Sequence, residues 1–92
     1  MAQPPAFLLL YTYVEDILER RAPHREEHLA RIAAEREAGH LLVAGAIGDP
    51  PSGAAIGLRD VSRDYVERFV AGDPYVTAGL VTGWRIEPWA VV

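Results

Sequence analysis

Apolar positions follow two different periods along this 92-residue chain. Phe7-Leu8-Leu9-Leu10-Tyr11-Thr12-Tyr13-Val14 is short, aromatic-rich and apolar on both faces. That pattern predicts a strand covered on both sides, hence central in its sheet. Asp16 to Arg21 is polar and reads as a helical turn or a loop. Beyond it the period changes: His28, Leu29, Ile32, Ala33 and Arg36 recur at helical spacing. Pro23 suits a first helical position, and Glu26 and Glu27 sit early, where the helix dipole favours anions. Gly39 ends the helix as a C′ residue.

His40 to Ile47 predicts a second apolar strand, and Gly48-Asp49-Pro50-Pro51-Ser52-Gly53 a dense turn leading into a third strand around Ala55 to Asp60. Ser62 is an N-cap for a short helix whose stripe is Tyr65, Val66, Phe69 and Val70, ended by Gly72. Pro74 to Gly79 reads as one more helical turn. Val81 to Trp89 alternates as a fourth strand, with Trp84 and Ile86 on one face. Met1 to Pro5 is a short lead-in with two prolines. The order β-α-β-β-α-β defines an α+β, ferredoxin-like domain: a four-stranded antiparallel sheet with two helices on one face. Two helices leave the other face bare, and the apolar first and second strands point to sheet-to-sheet pairing as a homodimer of the dimeric α/β-barrel type.

Length and composition refine this picture. Ninety-two residues make one domain, 1–92, with a modest core. Half the residues are hydrophobic, a surplus that again suggests an interface. There is no cysteine, which excludes disulfides, thiol catalysis and zinc-thiolate sites. A net charge of -4 argues against nucleic acid. All nine basic residues are arginine, so no lysine side chain can form a Schiff base. The N-terminus lacks a basic region, and Phe7 to Val14 is too short to span a bilayer. No membrane association and a cytoplasmic location are therefore expected.

Two residues stand out as chemistry. An imidazole as a group titrates near neutral pH and a carboxylate can fix its tautomer, so His28 and Asp73 offer the smallest plausible acid/base device. Asp73 before Pro74 equally suits a helix N-cap, and both roles fit one carboxylate, which has two oxygens. His24, Glu27 and His28 spell the inverted zinc-peptidase string, but no third ligand or peptidase scaffold is evident, so no metal is expected. Tyr11, Tyr13 and Tyr75 are possible donors to a small ligand, although strand tyrosines more often pack. Tyr75 is the best of these because it adjoins Asp73. Trp84 and Trp89 read as core or interface anchors, and Gly45 and Gly48 do not make a phosphate loop.

Arg25-Glu26-Glu27-His28-Leu29-Ala30-Arg31-Ile32, Gly39 to Gly45, Ala71 to Leu80 and the closing Ile86-Glu87-Pro88-Trp89 follow one another in an order that resembles the YCII-related (YciI-like) family of small bacterial proteins. The resemblance implies a dimeric ferredoxin-like domain with an active site on a histidine and an aspartate, matched here by His28 and Asp73. Some members resemble lyases acting on small hydroxylated, halogenated aromatics. This chain departs from the pattern at Glu26, where a proline is common, and in a short hairpin loop. The expectation is a small cofactor-free lyase or isomerase with His28 and Asp73 as the acid/base pair and Arg25, Tyr75 and Tyr11 as substrate contacts. The alternatives are a non-catalytic dimeric module binding a small metabolite, or a cofactor-independent oxygenase of the related dimeric barrel type.

Overall fold

The computed structural model describes residues 5–92. Residues 1–4 of the proline-containing lead-in lie outside the described residues. Strand β1 (Ala6–Tyr13) leads through a single turn, α1 (Ile17–Arg20), into the long helix α2 (Ala22–Glu37). Strands β2 (Leu41–Ile47) and β3 (Gly53–Arg59) form a hairpin. Helix α3 (Arg63–Gly72), the turn α4 (Pro74–Thr77) and strand β4 (Val81–Pro88) complete the chain. The sheet order is β2-β3-β1-β4, with every neighbouring pair antiparallel. This is the ferredoxin-like α+β fold.

Local chemistry sets most boundaries. The Ser62 hydroxyl accepts the Tyr65 N–H and starts α3, and Gly39, at a φ of 81°, ends α2 where a side chain would be strained. Helix α2 begins one residue earlier than Pro23 suggests, with Arg21 at its N-cap and no side-chain cap. Glu26 and Glu27 therefore fall beyond its first turn.

Register sorts the strand residues between the faces. Leu9 lies opposite Ile56 and Ile86, and Tyr11 opposite Ala54 and Trp84, all toward the helices. Leu9, Ile56 and Ile86 join Leu58, Val66, Phe69, Val70 and Leu80 in one buried core. On the other face, Leu8 pairs with Gly57 and Leu10 with Ala55, and Val43 and Ile47 of β2 stand 53% and 45% exposed. The first strand is central, as its double apolarity predicts. The second, equally apolar, is an edge strand: its outward residues line the bare face instead of sitting between two layers. Trp89 follows β4, and its ring lies against Gly57, where an added Cβ would meet Cζ3 at 2.5 Å.

Candidate functional site

The turn after α3 carries a carboxylate that takes three donors among the described residues. Asp73 caps α4: its Oδ1 accepts the Tyr75 N–H at 3.0 Å, and Pro74 follows at the first helical position, where a missing N–H costs nothing. The same carboxylate, 0% exposed, takes two further donors. The Tyr11 hydroxyl on β1 donates to Oδ2 at 2.9 Å. Nδ1 of His28, one and a half turns into α2, lies 2.9 Å from Oδ1 and 3.1 Å from Oδ2. Three elements distant in sequence thus converge on one charge.

Burial pushes the Asp73 carboxyl up, but the His28 hydrogen bond and charge, the Tyr75 N–H and the Tyr11 hydroxyl outweigh it and hold the group below its usual range. An ionised carboxylate only accepts, so Nδ1 carries a proton in either charge state of the ring, and in the neutral imidazole the lone pair falls on Nε2. Nε2 has no protein partner among the described residues, and His28 lines a cleft. The imidazole stacks on the Tyr75 ring with centroids 3.9 Å apart and planes within 5°, so its orientation is fixed on a face as well as at an edge. Burial, then the neighbouring Asp73 charge and hydrogen bond, raise the Tyr11 hydroxyl far above the ordinary tyrosine value, and it stays a donor. Tyr13 packs edge-on against Tyr75 at 6.0 Å, and its hydroxyl is pushed up to about 12, first by burial and then by Tyr75 and Asp73.

The cleft, 270 Å³ in volume, lies between α2 and the β2–β3 hairpin. Its floor is Ala44, Gly45 and Ala46 of β2 with Ala54 and Ile56 of β3. These small residues leave the room: Ala44 and Ala46 face the helix opposite Ile56 and Ala54, and no long side chain fills the gap. The helix wall is Arg21, Arg25, His28, Leu29, Ile32 and Arg36, six residues within an arc of about 100° on one helix face. Tyr13 and Tyr75 close one end. Engineered apolar cavities of about 150 Å³ hold benzene, so this volume suits a single substituted ring.

The structure brings together His28, Asp73 and Tyr11 directly, and His28, Tyr75 and Arg25 around the cleft. Tyr11 is 4% exposed and absent from the cleft wall, and its hydroxyl is spent on Asp73. Sequence reasoning missed Arg21 and Arg36 as wall residues. Their helical spacing from Arg25, His28 and Ile32 was the available signal, hidden because every cation in this chain is arginine. His24 and Glu27 gather no metal set. Among the described residues, no three histidine, aspartate or glutamate side chains are grouped as ligands.

The chain is thus a compact α+β protein of ferredoxin-like topology with an imidazole braced beside a small cleft. Within that class, the YCII-related domain matches residues 6–90, and the chain belongs to that family. One similar solved structure is 5-chloro-2-hydroxyhydroquinone dehydrochlorinase from Burkholderia phenoliruptrix, in complex with 2,5-dihydroxybenzoquinone. It shares 24% identity over 95% of each chain, with a TM-score of 0.80, and supports the fold. No curated protein matches the chain. Among the described residues no helix is long and apolar enough to cross a membrane.

Proposed function

We propose that this protein is a small cofactor-free lyase or isomerase acting on a hydroxylated, ring-sized substrate, with His28 as acid/base and Asp73 as the residue that positions it. The observation that carries this reading is the His28 Nδ1 contact to buried Asp73 at 2.9 Å, which leaves Nε2 free beside a cleft of one-ring size. In an elimination, Nε2 takes a proton from a ring hydroxyl or acidic C–H. The freed electron pair forms the new double bond, and an anionic group departs with its own pair. In an isomerisation, the same proton returns at another carbon. Neither route needs an oxidant. The fold and ligand of the dehydrochlorinase structure favour a hydroxylated ring as the substrate class. Tyr75 holds the imidazole by stacking, and Tyr11 acts through Asp73.

The bare sheet face supports a homodimer. Leu8, Leu10, Val43 and Ile47 present contiguous apolar side chains there, flanked by Trp89 on Gly57.

The test is NMR titration of the His28 imidazole in the native protein and in Asp73→Asn, alongside proton-exchange assays on hydroxylated rings. Chemical shifts of a Nδ1–H tautomer that the substitution disturbs, with exchange lost in His28→Gln, support the reading. An imidazole that titrates as free histidine and ignores the substitution refutes it. Ligand stabilisation that survives His28→Ala, with no turnover by the native protein, would instead favour a non-catalytic binding module.

A further inference from the structure

The cleft wall is one-sided in charge. The chain has thirteen acidic and nine basic residues, yet three arginines and no acid line this cleft. Arg21, Arg25 and Arg36 make no ion pair among the described residues, whereas Arg20 and Arg63 each have a carboxylate partner one turn away. Unneutralised guanidinium groups over a small-residue floor make a positive concavity in a molecule of net charge -4.

The charge concentrates at one end. Arg21 and Arg25 are one turn apart, and both line the cleft together with Tyr13. Tyr13 packs against Tyr75, whose own hydroxyl is buried with no hydrogen-bond partner. An orphaned buried hydroxyl costs free energy unless a partner supplies the missing bond. Two guanidiniums and the Tyr13 phenol therefore share the cleft wall with His28. Along the helix, Arg25 is three residues from His28, an axial offset of about 4.5 Å, which one six-membered ring can bridge.

Resting on the acid/base reading of His28, we propose that the substrate is an anionic ring: a hydroxylated ring carrying a carboxylate, with the carboxylate held by Arg21 and Arg25 and the reacting hydroxyl or carbon at His28 Nε2. Arginine suits the task because its planar fork meets both carboxylate oxygens at once. Tyr13 supplies a further donor, and Leu29, Ile32 and Ile56 cover the ring.

Isothermal titration of the full chain with 2,5-dihydroxybenzoate and with hydroquinone, which differ by the carboxylate alone, tests this. The carboxylate should improve affinity by at least about tenfold, the worth of one charge-assisted pair. That preference should shrink in Arg25→Gln, vanish in the Arg21→Gln/Arg25→Gln pair, and fall with added salt. Both arginines point into the cleft from the helix surface, and circular dichroism checks that the variants fold. Equal affinity for the two rings, a preference that survives the double substitution, or no binding of 2,5-dihydroxybenzoate at millimolar concentration overturns the proposal. The readout is binding only. Missing turnover sinks the acid/base reading and leaves this one standing, while equal affinities do the reverse.

Discussion

Tyr11→Phe removes one oxygen from the core and tests whether Asp73 is held as a charge. The ring keeps its place opposite Ala54 and Trp84, so packing is conserved. What disappears is a 2.9 Å donor to Oδ2 of a carboxylate with no solvent contact. Hydrogen bonds to charged groups are worth about 1.5–3 kcal/mol, against about 0.5–1.5 kcal/mol for neutral pairs. Near neutral pH the substitution should therefore cost about 1.5–3 kcal/mol. For a chain this short, that lowers the melting temperature by roughly 6–24 °C. The cost should also depend on pH with a definite sign. The folded-state value of Asp73 is depressed below its ordinary 3.8, so its stabilisation is present above that value and lost as pH falls through the folded one. Once the carboxyl is protonated, Tyr11 donates to a neutral group, and the penalty should shrink toward the neutral-pair value. Urea unfolding followed by tryptophan fluorescence, from neutral pH into the acid limb, measures both. Superimposable curves at neutral pH, or a penalty that grows on acidification, would refute a charged Asp73 at the centre of the site.

Three further outcomes follow from the same geometry. Asp73→Asn places an amide donor among three donors and should cost about 3–5 kcal/mol while flattening the acid limb of stability; the same urea series detects it, and an unchanged acid limb counts against the assignment. Leu10→Glu, at the centre of the bare face opposite Ala55 and Arg85, should convert a dimer to a folded monomer in sedimentation at micromolar concentration; a monomeric native protein refutes the interface. Ala44→Leu should fill the cleft floor beneath α2 and abolish 2,5-dihydroxybenzoate binding with a change in stability of less than about 1.5 kcal/mol, read by thermal shift.

The architecture was legible because its signals are local. The helical period from His28 to Arg36, Gly39 beyond it, Ser62 before α3 and Asp73-Pro74 before α4 each set a boundary by short-range chemistry. The contact between His28 and Asp73, 45 residues apart, was legible only through the family pattern, because no period or cap encodes a tertiary approach. The Tyr11 hydroxyl shows the limit more sharply. Alternation places Tyr11 on the covered face, but nothing in β1 says that its oxygen would meet the cap of a helix 62 residues later and not a ligand. Arg21 and Arg36 were hidden for a different reason. In a chain with no lysine, arginine type carries no information about choice, and only their positions over Ala44 to Ala46 reveal them.

Asp73 is an expensive way to begin a four-residue helix. Serine or asparagine would cap Tyr75 N–H as well, with no charge to bury, as Ser62 does for α3. Removing a carboxylate from water costs several kcal/mol, a large share of the roughly 5–14 kcal/mol total stability expected at this length. Replacing a buried ion pair by apolar residues is often neutral or stabilising, so stability alone does not account for keeping this one. What the charge does that a neutral cap cannot is dictate which nitrogen of His28 holds the proton. A serine or amide cap could sit beside either tautomer. An ionised carboxylate, already held by Tyr11 and the Tyr75 N–H, accepts from Nδ1, so that whenever the ring is neutral its lone pair is on Nε2. The cost in stability is thus tied to a protonated Nδ1 on His28, and the proposed acid/base role rests on that tautomer.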